Sequence, residues 1–294
     1  MTTAPPAIES SAPSEVLRKP PPPTSRGARG RSKAQRAWLH RLGLPLISAL
    51  TLLTVWWGVS AVGEPDPTLR PSPLLVWNTF VELSTLENGG YEGLTWWQHL
   101  EVSLWRVGIG AGAGIAAGLV LGLAMGVITP IRIALEPFLT FVRNLPPLAY
   151  FSLIVIWFGI DEAPKIILLA IAALPPVAVV TAHAVSGTAR DLLEAGRSIG
   201  LGRAKLISDV VIPSALPDVL TGIRLSVAIA YSSVVAAETI NGLPGIGGMV
   251  RDAQAYNNTA VVLVGIFAIG FSGLLIDAAI SAVAKRLTPW RGLA

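Results

Sequence analysis

Apolar residues along this chain gather into long runs, and the polar residues fall mostly between them. The runs lie at about 42–62, 104–128, 145–160, 164–186, 215–239 and 259–283. A helix needs roughly 20 apolar residues to cross a bilayer. In hydrocarbon, only a helix or a closed barrel satisfies its own backbone polar groups. The short alternating segments of a barrel are absent, so the pattern predicts six membrane-spanning helices. The runs divide the chain into a tail at 1–40, a first spanning helix at 41–63 and an outer loop at 64–97. A helical core at 98–286 and a short tail at 287–294 follow.

Composition agrees with this division. Hydrophobic residues make up 52% of the chain and charged residues 14%, against about 25% charged in soluble domains. Residues 1–37 are rich in Pro, Ser, Ala and Arg, with Pro20 to Pro23 in a row. Such a stretch buries no core and is expected to be disordered. It is too long a leader for a cleaved signal peptide, and the run after it is long enough to span. There is no cysteine, which excludes thiol chemistry. The net charge of +4 is modest, and its distribution is the stronger signal.

Arg18, Lys19, Arg26, Arg29, Arg31, Lys33, Arg36 and Arg41 precede the first run. Beside a hydrophobic span, such a cluster marks the cytoplasmic side rather than a nucleic-acid site. With both termini inside, the inner segments also hold Arg132, Arg143, Arg190, Arg197, Arg203, Lys205, Lys285, Arg286 and Arg291. The outer segments hold only Arg70, Lys165 and Arg251. Arg106 and Arg224 are expected to snorkel from near span ends. Trp56, Trp57, Trp96, Trp97, Trp105 and Trp157 fall near proposed span ends, as interfacial anchors do.

Several residues carry candidate roles. Gly110, Gly114, Gly118, Gly122 and Gly126 recur every fourth position on one face of the second span. Such a face lets a second backbone approach closely, either within one subunit or at a subunit interface. Glu238, near the outer end of the fifth span, is a candidate for the path or gate. A helix-end hydrogen bond, or packing against the Gly-rich stretch 242–248, are its alternatives. Pro146, Pro147 and Tyr150 would shape the inner half of a pore or form an ordinary kink. His40, His99 and His183 show no metal-ligand spacing, and Ser232 and Ser233 have no base partner. There is no phosphate-binding loop of the Walker type, and no internal repeat suggests a secondary transporter of inverted halves.

The stretch between the fourth and fifth runs carries most information. Residues 191–220 read DLLEAGRSIGLGRAKLISDVVIPSALPDVL. Asp191 and Glu194 have capping-box spacing. Ala195, Ile199 and Leu206 follow at helical intervals, and Arg203 and Lys205 suit a helix C-terminus. An amphipathic helix over about 191–206 is predicted on the cytoplasmic face. Small residues there would let it seat in a partner's groove.

This stretch resembles the permease signature of binding-protein-dependent ABC importers: Glu-Ala-Ala, three residues, Gly, nine residues, Ile, one residue, Leu-Pro. The chain has Glu194-Ala195-Gly196, Gly200 and Val210-Val211-Ile212-Pro213 at that spacing. Gly196, Val210 and Ile212 are the departures, each small or aliphatic. The resemblance runs over roughly 40–294. It is closest to the taurine, aliphatic sulfonate and nitrate branch, and within it to taurine permeases. It rests on Trp97-Gln98-His99, PPLAYFSLIVIWFGI at 146–160, Leu220-Thr221-Gly222, Val235-Ala236-Ala237-Glu238 and LTPWRG at 287–292.

The resemblance implies a type I ABC importer permease fold, all-α with six spans and a coupling helix, in the plasma membrane of a bacterium. It implies that Glu194, Ala195, Gly196 and Gly200 dock the ATPase, with Pro213 as a structural stop. It implies a homodimer above two ATPase subunits that hold ATP and Mg, with a binding protein outside. The chain itself then needs no cofactor and catalyses nothing. Other alkanesulfonates and nitrate remain open as solutes. A secondary transporter or channel working alone, and a membrane-embedded enzyme, are the competing classes.

Overall fold

The structure, a computed structural model, describes residues 43–62, 68–87, 89–240 and 244–290. The expected tail at 1–40 lies outside the described residues, as do 291–294. The helices are α1 (Leu44–Ala61), α2 (Pro73–Glu82), α3 (Trp96–Val127), α4 (Thr129–Asn144), α5 (Pro147–Phe158) and α6 (Glu162–Ser186). They continue as α7 (Arg190–Ser198), α8 (Arg203–Leu206), α9 (Ile212–Ile240), α10 (Ile246–Ala255) and α11 (Thr259–Leu287). The chain divides between Val55 and Trp56 into two units, the first contributing the N-terminal part of α1.

Five stretches are long and apolar enough to cross a bilayer: α1, α3, α6, Arg203–Ile240 and α11. The run at 145–160 differs from the straight span expected of it. There, α4 and α5 meet at 100° and count as a sixth crossing only when taken together. The corner falls at Leu145 and Pro146, because proline forbids its predecessor the helical region and cannot itself donate to the turn before it. Pro147 then begins α5, where its missing N–H costs nothing. The loop expected at 64–97 includes helix α2. Ser72 caps α2, accepting from Leu75 N–H. A capping box of Thr95 and Gln98 starts α3 eight residues before the apolar run. Tyr91 then donates to Asp252 of α10 at 2.7 Å. Burial, and next that hydrogen bond, raise the phenol's pKa.

Helix α6 is the centre of the second unit, with Leu168, Leu169, Ala173, Val177 and Ala178 wholly enclosed. The α3 glycines face it within the same chain. A Cβ at Gly110 would stand 2.6 Å from Leu169 Cβ and 2.8 Å from the Ile166 carbonyl oxygen. At Gly122 it would stand 2.6 Å from Thr181 Cβ, and at Gly126 within 2.6 Å of Val185 Cγ1. At Gly114 and Gly118 it would strike the Ala170 carbonyl and Val177. At each of the five positions an α6 carbonyl oxygen would also lie within 3.1 Å of the added Cβ, so the two backbones meet with little side chain between them. A second cluster joins α2, α10 and α11 through Val76, Ile246, Met249, Val261 and Val264.

Gly112 lies on the open side of α3, where a Cβ meets nothing within 4 Å. We therefore expect Gly114→Ala to destabilise the protein by about 1–3 kcal/mol through overpacking. Gly112→Ala should be neutral or slightly stabilising, since alanine is the better helix former. Thermal unfolding of the two variants in detergent, compared with the parent, checks this.

Candidate functional site

The segment between α6 and α9 takes its shape from two glycines. Helix α7 begins at Arg190, and Ala189 before it provides no side-chain cap; Asp191 lies within the first turn. The predicted Asp191 capping box is therefore absent, although the acid still complements the helix N-terminus. The helix also stops earlier than expected. Gly200 N–H donates to Arg197 C=O at 2.9 Å and Leu201 N–H to Gly196 C=O at 3.1 Å. Gly200 has φ +82°. This pairing is a Schellman motif, in which a left-handed residue ends the helix, and glycine adopts it without a steric penalty. Residues 191–206 thus form two short helices, α7 and α8, with a turn between them.

Gly196 is the close-packing position. A Cβ there would stand 2.6 Å from Leu206 Cδ1 and 3.4 Å from Val210 Cγ2. Its small size serves contact within the chain, rather than a groove in a partner. Glu194, Ala195 and Gly200 are exposed. So are Leu192 at 48% and Ile199 at 77%. Two bare aliphatic side chains among Arg190, Asp191, Glu194 and Arg197 form an unpartnered surface on a short helix outside the spans.

Pro213 does not stop a helix. It lies in the first turn of α9, behind the wide turn Ile207–Val211, where Ile212 N–H donates to Ile207 C=O five residues back. Proline cannot donate, and its ring would collide with the carbonyl four residues earlier. The widened turn moves that carbonyl aside. The chain thus passes from α8 into α9 without a break.

Glu238 is wholly enclosed and makes a helix-end bond. Its Oε2 accepts from Gly247 N–H at 2.8 Å, and Ser103 Oγ donates from α3 to its Oε1 at 2.7 Å. Ser103 Oγ in turn accepts from Ile246 N–H at 2.9 Å. The carboxylate therefore serves the first amides of α10, which has no cap of its own. A Cβ at Gly247 would stand 3.0 Å from Glu238 Oε2, so glycine lets the amide reach the acid. His99 accepts from Gly245 N–H through Nδ1 at 3.3 Å and, through Nε2, donates to Tyr91 C=O at 3.0 Å.

Arg106 completes the cluster rather than snorkelling. Its Nη1 donates to Glu238 at 2.6 Å, while Nε and Nη2 donate to the two oxygens of Glu162 at 2.6 and 2.7 Å. Lys165, expected on the outer surface, is buried and donates to Glu162 at 3.1 Å. Two cations and two carboxylates thus join α3, α6 and α9. Arg224 is paired as well: its Nε and Nη2 both donate to Asp277 on α11. Sequence reasoning passed over Ser103, Glu162 and Asp277. Opposite charges inside apolar runs were the available signal, since such charges occur paired.

Pro146, Pro147 and Tyr150 lie at the α4–α5 corner, away from these bonds. Tyr150 is half-buried against the cluster of Phe151, Ile154, Leu168 and Ala237. Among the described residues no group of acids and histidines could hold a metal ion.

These crossings, with a short helical segment between two of them, define a multi-pass transport subunit of the type I ABC importer permease fold. The chain belongs to the family of binding-protein-dependent transport system inner membrane components, which it matches over residues 114–289. It is 38% identical to the taurine transport system permease protein TauC of Escherichia coli (strain K12), covering 86% of this chain and 91% of that one. It is 32% identical to the putative aliphatic sulfonates transport permease protein SsuC of Bacillus subtilis (strain 168), over 86% and 88%. It is 28% identical to the bicarbonate transport system permease protein CmpB of Synechocystis sp., over 89% and 95%. Among solved structures, an amino acid ABC transporter shares the fold with a TM-score of 0.54 at 18% identity, over 66% of this chain and 92% of that one.

Removing Glu238 would leave Arg106 half-compensated in a buried site. We expect Glu238→Ala to cost about 3–5 kcal/mol, as breaking buried pairs does. Arg106→Leu combined with Glu238→Leu should cost less than the sum of the single changes. A double-mutant cycle on unfolding midpoints checks this.

Proposed function

We propose that this chain carries taurine or a closely related alkanesulfonate into the cell, as one of two permease copies driven by a separate ATPase pair. The observation that carries the proposal is the α7 surface. A short, rigidly capped helix stands outside the spans and presents Leu192, Glu194, Ala195 and Ile199 to a partner. Gly196 and the wide turn tie it to α9, so force applied to α7 passes to a spanning helix rather than to a slack loop. The identity with TauC supports the sulfonate, and the sulfonate and bicarbonate relatives share a small oxyanion as solute.

In this scheme both termini lie in the cytoplasm. ATP and Mg bind the ATPase subunits, whose closure draws two α7 helices together. That rigid-body input switches the spans between inward-open and outward-open forms. An extracytoplasmic binding protein delivers and selects the solute. Pro213 and its wide turn form the joint between α7 and the spans, and Pro146 and Pro147 set the corner beside them.

Gly200 is a poor site for testing docking, because any side chain there strains the turn. Ile199 and Glu194 have open side chains and no positive φ. We expect Ile199→Asp with Glu194→Lys to reduce ATPase retention on co-purification about tenfold, roughly 1.4 kcal/mol of association, with the unfolding temperature unchanged. Taurine uptake into vesicles should fall in parallel. Undiminished retention would remove α7 as the docking element. Uptake without any ATPase would make the chain a transporter working alone. Competition by methanesulfonate, nitrate and bicarbonate ranks the solutes.

A further inference from the structure

The most unusual surface of this protein is the open face of α9. On a helix surrounded by lipid, the exposed side chains should be large and apolar. Helix α11 fits that rule: Ile266, Phe267, Phe271, Leu274, Leu275 and Val283 are all exposed. Helix α9 does not. Between its exposed ends at Ile212 and Ile240, its exposed positions are Asp218, Thr221, Arg224, Leu225, Ala228 and Ser232. Only Leu225 among them is large and apolar.

Arg224 and Asp277 stand on this side with side chains 50% and 43% exposed. Asp277 precedes Lys285, in the charged last turn of α11, by about 12 Å along the helix at ~1.5 Å per residue. An ion pair held that far inside an apolar span and open to lipid is costly, and charged residues in spans face the bundle interior or water. Beside it lies a groove of about 310 Å³ lined by Leu220, Thr221, Arg224, Ser281 and Lys285, among others. Two cations therefore border one groove. Asp277 accepts from Nε and Nη2 of Arg224 and fixes the guanidinium plane. Nη1 donates to no described residue, which leaves its hydrogens to a ligand. A planar guanidinium with donors to spare suits an oxyanion.

We infer that the open face of α9 lines the water-filled path, and that Arg224, positioned by Asp277, contacts the oxyanion of the solute as it passes. This deepens the proposed import of a sulfonate and rests on it for the identity of the anion. Asp277 is then a positioning residue, acting through Arg224.

The absence of native cysteine makes the face directly testable. Thr221→Cys, Ala228→Cys and Ser232→Cys would be placed singly in the full transporter with its ATPase and binding protein. Each would be treated with an anionic, membrane-impermeant methanethiosulfonate, with Phe271→Cys and Leu274→Cys as lipid-facing controls. Labelling at the α9 positions should exceed the controls at least tenfold. Arg224→Gln should raise the KM for sulfonate uptake about tenfold and leave ATP hydrolysis within twofold, and Arg224→Lys should recover part of the loss. Asp277→Asn should weaken uptake in the same sense.

A transporting complex that labels no faster at α9 than at the controls overturns the inference. So does disulfide pairing of Ala228→Cys or Ser232→Cys with its counterpart in a second copy without labelling, which would make the face an interface between copies. Unchanged uptake kinetics in Arg224→Gln removes the anion contact. If the parent complex takes up no sulfonate while the α9 positions label, the solute assignment fails and the wet face stands.

Discussion

The approach of α3 to α6 sets the scale of everything else in the membrane unit. Hydrocarbon supplies no hydrophobic drive between helices, so association depends on van der Waals contact and interhelical bonds. Five glycines on one face of α3 remove the side chains that would hold the backbones apart, and Leu169, Ala170, Val177, Ala178, Thr181 and Val185 of α6 fill the space. Because α6 also packs along α9, this seam fixes the helices that carry the charges. A side chain's length gained at Gly114 or Gly118 would displace α6 and shift Glu162 and Lys165 away from Arg106.

The charges follow the same economy of position. Arg106, Lys165, Glu162 and Glu238 neutralise one another, and Glu238 also caps α10 through Gly247 N–H. One carboxylate thereby closes a helix start, a cation and a hydroxyl together, which removes the cost of burying any of them alone. Arg224 and Asp277 are paired as well, yet they remain open. The Arg106–Glu238 and Arg224–Asp277 pairs differ in surroundings rather than in chemistry: the first is enclosed by the chain, and the second stands on a face that the chain leaves uncovered.

The segment outside the spans uses glycine differently. Gly196 is small because Leu206 and Val210 press on it, and Gly200 is glycine because its φ is positive. Both positions therefore shape a rigid, short α7 and leave Glu194, Ala195 and Ile199 to make the outward contacts. The wide turn before Pro213 lets the chain enter α9 without losing helical continuity.

Much of this was legible in residue order. Apolar runs located the spans, because a backbone in lipid has few alternatives to the helix, and the Glu194 to Pro213 spacing located the segment outside them. What the sequence alone determined was which stretches enter the membrane and that glycine and proline occupy the junctions. It could not say that the run at 145–160 would turn by 100° with α4, since a proline fixes where a helix breaks but not the angle its neighbours impose. Nor could it pair Arg106 with Glu238 across 132 positions, or Arg224 with Asp277 across 53. Those partners meet only after α3, α6, α9 and α11 have packed. A charge's solvation in a membrane depends on which neighbours arrive beside it, and only the tertiary structure decides that.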